Sequence, residues 1–194
     1  MPMIIEPHIQ ALIFDCDGTL ADSMPLHYEA WQETMAALGG HFPEQLFYDT
    51  AGMHSEAIAR VLNQQYGYNF DPQTTAADKE ARFAQKIAHI QPVEPVIAIA
   101  KEYRDRMPMA VGSGGELPMV RKILAAIDMT DFFDTIVTSE QVPNGKPAPD
   151  IFLEAARRMN VDPQYCHVFE DGDSGIEAAQ NAGMAVTDIR LWRG

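Results

Sequence analysis

Five short stretches of this 194-residue chain constrain its fold most: ALIF (Ala11–Phe14), MAVG (Met109–Gly112), TIVTS (Thr135–Ser139), CHVFE (Cys166–Glu170) and MAVTDI (Met184–Ile189). Each is largely apolar without the every-second-residue alternation of a half-exposed strand, a pattern that suits strands covered on both faces. Helical patterns lie between them. VIAIAKEYRDRM precedes the second run, ELPMVRKILAAI follows it, APDIFLEAARRM precedes the fourth, and DSGIEAAQNAG precedes the fifth and ends on a glycine stop. Strand–helix alternation at this spacing predicts an α/β core with a doubly wound, Rossmann-like parallel sheet.

One segment breaks the rhythm. Between Asp22 and Pro92 the patterns MPLHYEAWQETMAAL, SEAIARVLNQQYG and DKEARFAQKIAHI are helical, with no strand among them. About seventy residues is too long for a plain loop, so the segment predicts an inserted helical cap over 22–92, with QPVEP as the return linker. The core is then built from 1–21 and 93–194. Within the cap, Trp31, Met35 and Leu38 share helical spacing with Leu26 and are expected to form its core.

The formal net charge of −14 argues against nucleic acid and anionic membranes as partners, both of which want a basic face. No apolar run approaches the ~18 residues of a membrane span. The opening MPMIIEPHIQ lacks a basic start and is interrupted by Glu6 and Pro7, which argues against a signal peptide. Two cysteines, Cys16 and Cys166, make no disulfide framework. A cytoplasmic, monomeric protein is the expectation.

In doubly wound sheets, ligands bind beyond the carboxyl ends of the strands. The first run ends in Asp15 and Asp17, although aspartate is a poor strand former and expensive to bury without a partner. After the second come Ser113, Gly114 and Gly115; after the third, PNGKPAP presents Lys146; the fourth delivers Glu170 and Asp171. Several carboxylates at one point suit Mg²⁺, which takes oxygen ligands and is often shared with a substrate phosphate. A Ser-Gly-Gly turn offers N–H groups to phosphate oxygens, and Lys146 adds a cation. Two carboxylates at i and i+2 can divide the work: one attacks, the other moves protons. Cys16, between them, is expected to point the other way as core filler.

Together DCDGTLADS, VGSGG, GKPAPD and VFEDGDSG resemble, in order and spacing, the four signature motifs of the haloacid-dehalogenase-like hydrolase superfamily. The inserted segment resembles the small helical cap of its β-phosphoglucomutase-like branch. MAVGSGGE and MAVTDIR are most similar to bacterial fructose-1-phosphate phosphatases. The resemblance implies a Mg²⁺-dependent phosphatase for small phosphorylated sugars. Asp15 matches the nucleophile and Asp17 the acid/base, whose carbonyl also ligates the metal. Ser113 with the Gly114 N–H matches the phosphate grip, and Lys146 the stabilising lysine. Asp171 matches the metal ligand, with Glu170 beside it or in a supporting position. Thr19 falls close to the reacting phosphate, and His27, Gly52 and Lys79 near positions that meet substrate. For His27 a hinge or helix-surface role, and for Lys79 a solvated helix face, stay open.

Two departures stand out. The mutases of the branch carry an arginine in the first cap loop that grips a second phosphate; here the loop reads AGMHSEA, with Ser55 at that place. That favours a phosphatase over a phosphosugar mutase. Gly172 replaces a serine common after the acidic pair. A phospho-receiver module would also gather acids, a hydroxyl and a lysine at strand ends. It would lack the helical insertion and place its acceptor aspartate later.

Overall fold

The computed structural model describes residues 5–192; positions 1–4 and 193–194 of the expected core lie outside the described residues. Among these residues, five parallel strands form one sheet: β1 (Ala11–Phe14), β2 (Met109–Ser113), β3 (Thr135–Thr138), β4 (Cys166–Glu170) and β5 (Ala185–Asp188), in the order β3-β2-β1-β4-β5. The crossovers are α5 (Glu94–Tyr103), α6 (Leu117–Ala126), α7 (Asp150–Met159) and α8 (Asp173–Asn181).

Because side chains alternate along a strand, each short run feeds two cores. Leu12 and Phe14 join Val111, Phe169 and the apolar faces of α5 and α6. Ala11 and Ile13 join Ala110, Val137, Val168 and the residues Ile151, Phe152 and Ala178 of α7 and α8. Both faces are thereby covered, which is why the runs carry no alternation. Cys16 is buried in the first of these cores.

The inserted segment holds α1 (Met24–Ala37), α2 (Glu44–Asp49), α3 (Ser55–Tyr66) and α4 (Pro72–Ala84). Met24, Trp31, Met35, Phe42, Phe47, Ile58 and Leu62 make a third apolar cluster between these helices. Each of the larger side chains contributes about 1.5–3 kcal/mol on burial. Two of the expected cap-core residues behave differently. Leu38 lies past the last helical turn, where the chain unwinds toward Gly39, and is 42% exposed. Leu26 packs against the sheet-side core instead, because it sits where α1 leaves the sheet. Among the described residues, no helix is long and apolar enough to cross a membrane.

Candidate active site

The register of the sheet sets the site. Phe14 pairs with Phe169, so Asp15 and Glu170 leave neighbouring strands side by side, and the Asp15 amide still donates to the Phe169 carbonyl at 3.0 Å. β1 and β4 also flank the point where the strand order reverses, where a crevice opens beyond the carboxyl ends. Carboxylate oxygens of Asp15, Glu170 and Asp171 lie there within 4.8 Å of one another.

Lys146 reaches this cluster from the loop after β3. Its Nζ donates to Asp15 Oδ1 at 2.6 Å and to Glu170 Oε1 at 2.8 Å, and sits 4.9 Å from the Phe152 ring centroid. Burial would discharge the ammonium, but the two carboxylates win and raise its pKa. Three carboxylates thus gather around one ammonium. Burial pushes the Asp15 carboxyl well up; Lys146 opposes this, while Glu170 and Asp171 add to it. A cluster of carboxylates at one point is what a hard divalent cation binds, and an all-oxygen donor set fits the Mg²⁺ and Ca²⁺ class.

Within the cluster the acids are not equivalent. Glu170 Oε2 accepts from the Gly172 N–H at 2.6 Å, so both its oxygens are engaged. It is better suited to bracing Lys146 and the β4 turn than to donating to an ion. Asp171 accepts from Thr19 Oγ1 at 3.2 Å and faces the chain at Gly18, whose φ is +86°. Any Cβ at position 18 would collide with the Asp171 carboxylate, so the turn after Asp17 demands glycine twice over, for space and for backbone angle.

Asp17 belongs to a second network that ties it to the cap. Its Oδ1 accepts from Ser23 Oγ at 2.6 Å and from His27 Nε2 at 2.9 Å; Lys79 Nζ donates to His27 Nδ1 at 2.7 Å and to Glu80 Oε1 at 2.9 Å. An ammonium cannot accept a hydrogen bond. Nδ1 is therefore the acceptor, and Nε2 carries the proton offered to Asp17. In agreement, burial and the Lys79 charge push the His27 pKa down, against the pull of Asp17. Burial would raise Asp17, but His27, Ser23 and Lys79 outweigh it and hold the carboxyl below its ordinary value. Both bonds fall on Oδ1, leaving Oδ2 to meet a substrate. His27 is further fixed by stacking on Phe83, with centroids 3.6 Å apart.

The cap sits directly on the core. Gly114 passes so close to Gly52 that an added Cβ would lie 2.5 Å from the Gly52 carbonyl oxygen. Ser174 Oγ donates to the Ala51 carbonyl at 2.6 Å, and His54 faces Glu116 at 3.9 Å. Between cap and core lies a cavity of about 370 Å³. Asp15, Asp17, Ser113, Gly114, Glu170 and Asp171 line its core side; His27, Gly52 and Lys79 line its cap side. Ser113 Oγ accepts from the Gly115 N–H at 3.0 Å, a turn that gathers amides at the cavity. Thr19 and Lys146 are instead buried behind Asp171 and Asp15, respectively.

Sequence reasoning thus brings the core residues to one place, but it missed Ser23 and Glu80. Ser23 stands before a helix with Pro25 near its start and reads as an ordinary cap; its hydroxyl makes no cap bond and turns to Asp17. Nothing local marks Glu80 out from its charged neighbours.

A parallel sheet whose strand ends pool three carboxylates, a lysine and a Ser-Gly turn beneath a helical cap defines a hydrolase class. Residues 9–183 match the haloacid dehalogenase-like hydrolase family, and the chain belongs to it. The enzyme is a phosphatase, and the phospho-receiver alternative falls away. It is 38% identical to the fructose-1-phosphate phosphatase YqaB of Escherichia coli, over 93% of this chain and 96% of that one. It is 30% identical to a phosphorylated carbohydrates phosphatase of Thermotoga maritima, over 91% and 82% of the two chains. In fold it is similar to β-phosphoglucomutase from Clostridium difficile, with a TM-score of 0.81 at 23% identity, over 95% of this chain and 87% of that one.

Proposed function

We propose that this phosphatase is a Mg²⁺-dependent hydrolase of small sugar monophosphates, fructose 1-phosphate among them, and that it works through a phosphorylated Asp15. One observation carries the reading: Asp15 and Asp17 line the same cavity, but one is set among acids and the other in a separate hydrogen-bond network with the cap. Two carboxylates in such different settings suit two different tasks.

Asp15 and Asp171 would hold the ion, with the backbone carbonyl of Asp17. Once bound, Mg²⁺ neutralises phosphate charge in a pocket that otherwise repels anions. Asp15 attacks phosphorus with a carboxylate oxygen, and the bond to the sugar oxygen breaks. Asp17, ionised in the resting site, takes a proton onto Oδ2 from the incoming phosphate monoanion and passes it to the departing oxygen. It then takes a proton from the water that hydrolyses the acyl phosphate, freeing Asp15 and inorganic phosphate. Ser113 and the Gly114 amide hold phosphate oxygens; Lys146 keeps Asp15 aimed. Ser23, His27 and Lys79 position Asp17, and because two of these residues sit on the cap, cap closure completes the acid/base.

Water as acceptor fits better than a second sugar phosphate. Ser55, on the cap wall, donates to Glu80 at 2.6 Å and offers no cation to retain a bisphosphate. The two phosphatases named above, matched over 96% and 82% of their lengths, support the same choice.

The test is a comparison of leaving groups. Asp17→Asn is expected to reduce hydrolysis of sugar phosphates about 10²–10⁴-fold, and hydrolysis of an aryl phosphate far less, since a phenolate leaves without a proton. Equal losses on both esters would remove Asp17 from the acid role.

The ion has its own signature. The Asp15 pKa is raised in the folded protein, so the metal-free fold binds an extra proton and loses stability as pH climbs from the ordinary carboxylate range through the raised value. A divalent ion competes for the same oxygens. The rise in melting temperature on adding Mg²⁺ is therefore expected to grow from mildly acidic to neutral pH. Calorimetry checks this; a pH-independent rise would place the ion elsewhere.

A further inference from the structure

The cap side of the cavity carries a charge arrangement that a phosphate site does not require. Glu80, on α4, lines the cavity, and its Oε1 accepts from both Ser55 Oγ at 2.6 Å and Lys79 Nζ at 2.9 Å. Burial alone would favour its neutral form, yet Lys79, His27 and the Ser55 hydrogen bond hold the carboxyl below its ordinary value. It is an anion facing the cavity. Lys79 is the one Lys or Arg among the described residues lining this space, and its ammonium is already committed to Glu80 and His27. The nearby Arg60 and Arg82 pair with Glu56 and Asp78 and do not line the cavity. Glu116 adds further negative charge to the lining.

We propose that Glu80, fixed by Ser55 and Lys79, is a specificity-determining residue: it admits the uncharged, hydroxyl-bearing end of a sugar or polyol monophosphate and rejects a second phosphate or a carboxylate there. The inference rests on the reading that the phosphoryl group enters on the core side. A sugar hydroxyl can donate to a carboxylate, whereas a phosphate dianion cannot and meets like charge in a partly desolvated space. A bisphosphate gains nothing by reversing, because whichever phosphoryl group enters the core, the other is carried to the cap. Selectivity here comes from an element that opposes the wrong substrate as much as from one that holds the right one.

The experiment compares kcat/KM for a hexose 1-phosphate, the corresponding 1,6-bisphosphate and an aryl phosphate, using the Mg²⁺-loaded wild-type enzyme and Glu80→Gln. The wild type is expected to prefer the monophosphate over the bisphosphate by at least about 100-fold, from like-charge repulsion at short range. Glu80→Gln is expected to narrow that ratio at least about tenfold, mostly through KM for the bisphosphate. A Glu80 that merely supports Lys79 would lower all three esters together and leave the ratio unchanged, which would overturn the inference. So would a wild type that takes both sugars equally, a result that needs no variant to fold. Failure on every ester, the aryl phosphate included, would instead remove the phosphatase reading beneath it and the inference with it.

Discussion

Asp15→Asn is expected to lower turnover of every phosphate ester, activated or not, by at least about 10⁴-fold, because the amide lacks the oxygen nucleophile. The same substitution should leave the metal-free fold intact. Burial is the largest influence on the Asp15 carboxyl and disfavours its charge, and Lys146 keeps Glu170 as a partner when Asp15 is lost. Loss of activity without loss of melting temperature therefore distinguishes a chemical role from a structural one. Wild-type turnover by the variant would exclude Asp15 as the attacking group.

Lys146→Ala is expected to fail differently. Its ammonium lies fully inside the protein between two carboxylates, at 2.6 and 2.8 Å. Removing it leaves Asp15 and Glu170 facing each other with no cation, and breaking a buried pair in this way costs about 3–5 kcal/mol. For a domain of this size that amounts to a fall of about 10 °C in melting temperature, together with loss of activity. The sign of the pH dependence is fixed by Asp15, which Lys146 draws toward its ionised form. Without Lys146 this carboxyl stays protonated to higher pH, so the deficit in metal-free protein should shrink as pH falls and widen toward neutrality. Thermal melts of wild type and variant across mildly acidic to neutral pH would show it. A deficit independent of pH would mean that only the packing of the lysine stem on Phe152 had been lost.

Much of this site was legible because parallel strands buried on both faces write themselves as continuous apolar runs, and chemistry follows where each run stops. Asp15, Ser113, Lys146 and Glu170 were found that way. Register was not legible: nothing in ALIF or CHVFE says that Phe14 stands opposite Phe169, yet that pairing brings Asp15 level with Glu170. The cap was legible as helix but not as machinery. His27 and Lys79 lie 52 residues apart, on helices whose crossing no local pattern encodes. Ser23 carried the wrong signal, since a serine before a helix ordinarily caps it. The helix Glu44–Asp49 is too short to show a period in the sequence. Leu38 continued the apolar spacing of α1 after the helix itself had ended.

The proposal depends on a phosphoryl group passing through the carboxylate that ends the first strand. Trapping it is the most direct measurement: the Mg²⁺-loaded enzyme is mixed with a sugar phosphate, quenched during turnover and treated with borohydride, which reduces an acyl phosphate to an alcohol. Peptide mass mapping should then find homoserine at position 15 in the wild type, and none when substrate is omitted. Homoserine at another carboxylate, or steady release of phosphate with position 15 never modified, would contradict the mechanism.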